Sequence, residues 1–103
     1  MLVVDDDATL RERLAQAFRE RGFEVTTAAR GSEALARVRE ETPEYALLDL
    51  RMPDQSGLEV MKAIRALDPA TRILILTGYG SIATAVEATR LGAVGYLPKP
   101  ADA

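Results

Sequence analysis

Three uninterrupted apolar runs stand out along the chain, and each ends at a polar residue. Leu2, Val3 and Val4 lead into Asp5, Asp6 and Asp7; Tyr45, Ala46, Leu47 and Leu48 lead into Asp49; Ile73, Leu74, Ile75 and Leu76 lead into Thr77. Continuous rather than alternating apolar residues predict strands buried on both faces. Residues 23–27 alternate, with Phe23, Val25 and Thr27 against Glu24 and Thr26, as a more exposed strand would. Residues 94–97 form the last predicted strand, followed by Pro98, Lys99 and Pro100.

Helical spacing fills the intervals. Leu10, Leu14, Ala17 and Phe18 share one face of a first helix, which Thr9 with Glu12, or else Asp7, is placed to cap and which Gly22 ends. Ser32 is the expected cap of a second helix carrying Leu35 and Val38 and ending before Pro43. Residues 51–57 read as a loop by composition. Leu58, Met61, Ile64 and Leu67 then mark a third helix, stopped by Pro69. Gly78, Tyr79 and Gly80 form a turn, and Ser81 is placed to cap an Ala-rich fourth helix running to Leu91 and closed by Gly92. The Arg residues at 11, 13, 19 and 21 read as a solvated helix face.

Strands alternating with helices predict a single α/β domain over residues 1–103, with a parallel sheet covered on both faces. The chain holds five strands but only four helices. Residues 101–103 read as the start of a fifth helix, cut off before it forms. Such a helix would bury on the order of 400 Å² of apolar surface, worth roughly 10 kcal/mol, comparable to the whole stability of a small domain. Either further chain or a neighbouring copy, in a homodimer or swapped dimer, is therefore expected to cover the gap.

Composition narrows the chemistry. There is no Cys and no His, which excludes disulfides, thiolate sites and imidazole bases. Acidic residues number 16 against 13 basic, a net charge of −3, so no direct nucleic-acid binding by this domain is expected. No apolar run approaches membrane-spanning length and no leader pattern is present, so a cytoplasmic location away from the membrane is expected. Carboxylates, hydroxyls and Lys are left to carry any reaction.

In an open parallel sheet, ligands bind beyond the carboxyl ends of the strands. Asp5 and Asp6, Asp49, Thr77 and Lys99 all fall there. Three carboxylates about 5 Å apart repel by roughly 3 kcal/mol per pair at an effective dielectric of 20, a cost that a divalent cation removes. Mg²⁺ fits, since it takes one or two carboxylates, a carbonyl and several waters. Lys99 adds a compact positive charge for phosphoryl oxygens, Thr77 a hydroxyl and Gly78 room. Asp49 is the carboxylate expected to attack phosphorus and form an acyl phosphate. A single Asp would suffice for capping, so three in a row ask for a further explanation.

The set Val4-Asp5-Asp6-Asp7, Asp49-Leu50-Arg51-Met52-Pro53, Leu76-Thr77-Gly78 and Lys99-Pro100 resembles the motifs of two-component response-regulator receiver domains over the whole chain. The resemblance implies a flavodoxin-like doubly wound sheet in the order 2-1-3-4-5 with five helices. It implies Asp6, Asp49 and the backbone carbonyl of Arg51 as direct Mg²⁺ ligands, with Asp5 reaching the metal through water. Asp49 is then the phosphoacceptor, served by a sensor histidine kinase, and Thr77 and Lys99 contact the phosphoryl oxygens. Thr77 and Tyr96 form the switch, and the Lys99–Pro100 bond is cis. The domain so implied is a signalling phosphoacceptor rather than an enzyme, assisting its own phosphorylation and slow dephosphorylation. Residues 78–85 and 99–103 are similar more narrowly to the redox and photosynthesis regulators of the PrrA, RegA and ActR type. Those carry a helix-turn-helix effector after the receiver, and no such effector domain lies within this sequence. Ala101 departs from the aromatic that many receivers have after the Lys-Pro pair.

Two other functions compete. A phosphohydrolase of the haloacid-dehalogenase kind wants Asp-x-Asp after its first strand, whereas Leu50 and Arg51 follow Asp49. A pseudo-receiver acting only as a protein-interaction module usually lacks one of the acidic, Thr or Lys groups, all of which are present here.

Overall fold

The apolar runs become the strands of one sheet, and the amphipathic segments become the helices that pack on it. In the computed structural model, which describes residues 1–51, 54, 56–78 and 82–98 (residues 77, 82 and 98 by backbone alone), the strands are β1 (Leu2–Val4), β2 (Thr26–Ala28), β3 (Tyr45–Asp49), β4 (Arg72–Thr77) and β5 (Gly95–Pro98). The helices are α1 (Ala8–Glu20), α2 (Gly31–Glu40), α3 (Gly57–Leu67) and α4 (Ile82–Arg90). All strand pairs are parallel and the spatial order is β2-β1-β3-β4-β5. The winding reverses between β1 and β3, so their carboxyl ends open onto the crevice where such sheets bind ligands.

Alternate side chains of the strands feed two layers. Leu2, Val4, Leu48, Ile73 and Ile75 join Ala34 and Val38 of α2, Val60, Met61 and Ile64 of α3, and Ala85 and Ala88 of α4 in the larger core. Val3, Leu47 and Leu76 face the other way, against Leu14 and Phe18 of α1. Among the described residues α1 is the helix on that second face. Beside it an apolar groove of about 170 Å³ remains, lined by Phe18, Leu47, Leu74 and Val94 among others. Val94 is 62% exposed and Leu97 46%, so apolar surface on and beside β5 is open to solvent. The expected start of a fifth helix, at residues 101–103, lies outside the described residues. No helix among the described residues is long and apolar enough to cross a membrane.

Two local expectations shift. The strand expected at residues 23–27 is observed at Thr26–Ala28. Gly22, at φ +93°, turns the chain out of α1, and the Phe23 N–H still donates to the Phe18 carbonyl. Phe23 is thereby spent on edge-to-face contacts with Phe18 and Tyr45, at centroid distances of 5.7 and 6.3 Å. The cap of α1 is Asp7, whose carboxylate accepts the Leu10 N–H at 3.1 Å, and Thr9 lies inside the helix rather than at its start.

Candidate functional site

The register of β1 against β3 builds the site. Val4 pairs with Leu48, so the residues that follow them, Asp5 and Asp49, arrive at the same level on neighbouring strands. The Asp5 N–H extends the ladder by donating to the Ala28 carbonyl at 3.1 Å. Asp5 and Asp49 are both buried, at 0% and 1% exposure, while Asp6 is exposed at the mouth. One carboxylate oxygen from each of the three lies within 4.8 Å of the others. The predicted acidic cluster therefore forms from residues more than forty positions apart.

Local hydrogen bonds orient the two buried carboxylates. Asp5 Oδ1 accepts the Asp7 N–H at 2.9 Å, and Asp49 Oδ1 accepts the Arg51 N–H at 3.1 Å. Each is a side chain bonding the backbone two residues on, which fixes the plane of the carboxylate. The Arg11 guanidinium donates to the Asp5 carbonyl at 2.9 Å and lies close to Glu12, with only 17% of its side chain exposed. Arg11 is thus folded back on the acidic loop instead of belonging to the solvated Arg face expected from spacing.

The donor set suits a hard divalent cation: three carboxylates, buried at one end and open at the other, with no nitrogen or sulfur ligand. Of the remaining expected residues, Thr77 ends β4 one position beyond Leu76, the partner of Asp49 in the ladder. The Thr77 side chain, Tyr79, and Lys99 with its Pro100 bond lie outside the described residues. Tyr96 lies on β5 opposite Ile75, with 39% of its surface exposed.

Sequence reasoning missed two features of the loop between β3 and α3. Ser32 does not cap α2. The N-cap position is Arg30, which makes no side-chain capping bond. Instead Asp54, from that loop, accepts the N–H groups of Gly31 and Ser32 at 2.9 Å each. These bonds hold the Asp54 carboxyl down to about 2, from an ordinary 3.8, with the Ser32 N–H contributing most. The second feature is Gly57. A Cβ there would lie 2.5 Å from Leu50 Cα and 2.6 Å from the Asp49 carbonyl oxygen, so the start of α3 rests directly on the end of β3. Its N–H donates to the Leu50 carbonyl at 2.9 Å.

The comparisons with known proteins agree with this construction. The profile of the response regulator receiver domain family matches residues 1–103. The acid tolerance regulatory protein ActR of Rhizobium meliloti (strain 1021) is 50% identical over 103 residues, covering 100% of this chain and 53% of that protein. The photosynthetic apparatus regulatory protein RegA of Rhodobacter capsulatus is also 50% identical, with 56% of its length covered. The chain thus spans about half the length of the curated relatives it matches. Among solved structures, the receiver domain of NtrX from Brucella abortus superposes with a TM-score of 0.92 at 33% identity, covering 96% of this chain and 84% of that one. A response regulator from Burkholderia pseudomallei, crystallised with a phosphorylated aspartic acid, calcium ion and citrate, gives 0.89 at 43% identity, covering 97% and 59%. Motif set, sheet order, acidic crevice and full-length family match converge, and the chain belongs to the receiver domain family of two-component response regulators.

Proposed function

We propose that this domain takes a phosphoryl group onto Asp49 from a phosphohistidine of a sensor kinase in the presence of Mg²⁺. The observation that carries the proposal is the meeting of the Asp5, Asp6 and Asp49 carboxylates within 4.8 Å at the switch point of the sheet. Asp6, Asp49 and the Arg51 carbonyl would hold the ion, with Asp5 contributing through water. When bound, Mg²⁺ offsets the mutual repulsion of the carboxylates and the charge on the incoming phosphoryl oxygens. An Asp49 carboxylate oxygen forms the new bond to phosphorus while the phosphorus–nitrogen bond of the donor breaks. The electron pair leaves with the imidazole, which takes a proton from solvent. Asp49 Oδ1 is steadied by the Arg51 N–H, so the carboxylate is oriented before the donor arrives. Thr77 and Lys99 contact the phosphoryl oxygens.

Further support comes from the Burkholderia pseudomallei relative, whose crystal structure carries a phosphorylated aspartic acid and a calcium ion. Modification shifts a two-state equilibrium of a few kcal/mol. In it, Tyr96, half exposed in this structure, moves inward as Thr77 closes on the phosphoryl group. The ActR and RegA relatives are regulators about twice this length, so any transcriptional output is assigned to an effector outside the receiver, and the protein to the cytoplasm.

The test is incubation with Mg²⁺ and acetyl phosphate, followed by intact-mass spectrometry. A phosphoryl mass gain in the wild type and none in Asp49→Ala is the expected result. No gain in the wild type, or an equal gain in the variant, refutes it.

A further inference from the structure

Resting on that proposed function, we infer that Asp54 is a positioning residue for the acidic centre, clamping the loop after Asp49 to the first turn of α2. Among the described residues the loop is anchored at three points. The Arg51 N–H is bonded to Asp49 Oδ1, and the Gly57 N–H to the Leu50 carbonyl. Both of these are local. The third is the two-oxygen grip of Asp54 on Gly31 and Ser32, which spans 23 and 22 residues of sequence and reaches a different helix.

The grip suits both partners. The first N–H groups of a helix have no acceptor within it, and its amino end carries partial positive charge. Arg30 offers no side-chain cap, and the Glu33 carboxylate takes the Ala29 N–H just before the helix. Asp54 therefore satisfies donors that α2's own cap position leaves to others. In the other direction, α2 is fixed to the larger core through Ala34 and Val38, both fully buried. The clamp thus ties the loop to a rigid body. Arg51, whose carbonyl is the proposed protein ligand from the main chain, lies between the Asp49 anchor and the Asp54 anchor. Releasing Asp54 removes the nearer of the two anchors that follow Arg51 along the chain and leaves the Gly57 bond as the remaining one.

The test uses the full chain, with wild type, Asp54→Ala, Asp54→Asn and Thr71→Val compared. Thr71 is a control: its hydroxyl bonds the Pro43 carbonyl and Asp68 just before β4, at the amino end of the strands, opposite the end that carries the acidic cluster. Calorimetric titration with Mg²⁺ is expected to give an affinity about 10-fold lower in Asp54→Ala, the scale of lost support behind a metal ligand. Asn keeps one acceptor oxygen, so Asp54→Asn falls between. Hydrogen exchange of the metal-free protein is expected to quicken at the Gly31 and Ser32 amides in Asp54→Ala, while Thr71→Val loses stability with its Mg²⁺ affinity unchanged. If wild type binds Mg²⁺ and Asp54→Ala binds it equally, or if Thr71→Val weakens binding as much, the positioning role is overturned while the proposed function stands. If wild type itself takes no Mg²⁺, both fall.

Discussion

Replacing Gly57 with Ala is a perturbation whose sign the structure reverses. Gly57 is the first residue of α3, and by propensity alone a Gly→Ala change in a helix stabilises by up to about 1 kcal/mol. Here the added Cβ would stand 2.5 Å from Leu50 Cα, 2.6 Å from the Asp49 carbonyl oxygen and 3.0 Å from the Leu50 carbonyl carbon. Comfortable carbon contacts begin at about 3.5 Å, so helix and strand end must part by about 1 Å. The atoms in the way are all backbone, and no side chain can swing aside. Overpacking costs about 1–3 kcal/mol; with two contacts under 3.0 Å against backbone the upper end applies, and after the propensity gain the net loss is about 2 kcal/mol. For a domain of this size that is about 10 °C in the unfolding midpoint. Urea and thermal denaturation followed by far-ultraviolet circular dichroism read it directly. Because the displaced atoms belong to Asp49 and Leu50, the acetyl phosphate reaction of the folded variant is also expected to slow. A variant as stable as wild type or more so, with an undiminished rate, would refute the close-approach reasoning.

Two further perturbations follow from the same structure. Asp54 is held near 2 against an unfolded value of 3.8, so its contribution is fully present above about pH 4 and fades as pH falls toward 2. The stability difference between wild type and Asp54→Asn, from urea titrations, should therefore be largest near neutrality and shrink through that window; a constant difference would contradict the clamp. Ile64 is fully buried among the residues of the larger core, so Ile64→Ala is expected to cost about 2–5 kcal/mol by chemical denaturation, and a loss under 1 kcal/mol would mean that α3 packs elsewhere.

Much of the site could be read in advance because its residues follow apolar runs. A fully buried parallel strand is recognisable as an uninterrupted stretch such as residues 73–76, and a polar residue at its end has few places to go except the rim of the sheet. Asp5, Asp6 and Asp49 met there as expected. The residues that escaped notice work at a distance. Asp54 looks like one more polar loop residue, and Ser32 looks like a cap from its type alone. Arg11 has the spacing of an exposed helix position, yet its length lets it fold back to the Asp5 carbonyl.

Sequence alone determined the alternation of strand and helix, the identity of the carboxylates and the end of the sheet on which they gather, because burial periodicity and strand termini are local properties of the chain. Tertiary structure alone decided which backbone donors Asp54 would satisfy, why position 57 admits no side chain, and which apolar surface beside α1 stays open. These depend on how the helices and the strands of the sheet approach one another. Such distances arise from packing between segments, and no short stretch of the chain encodes them.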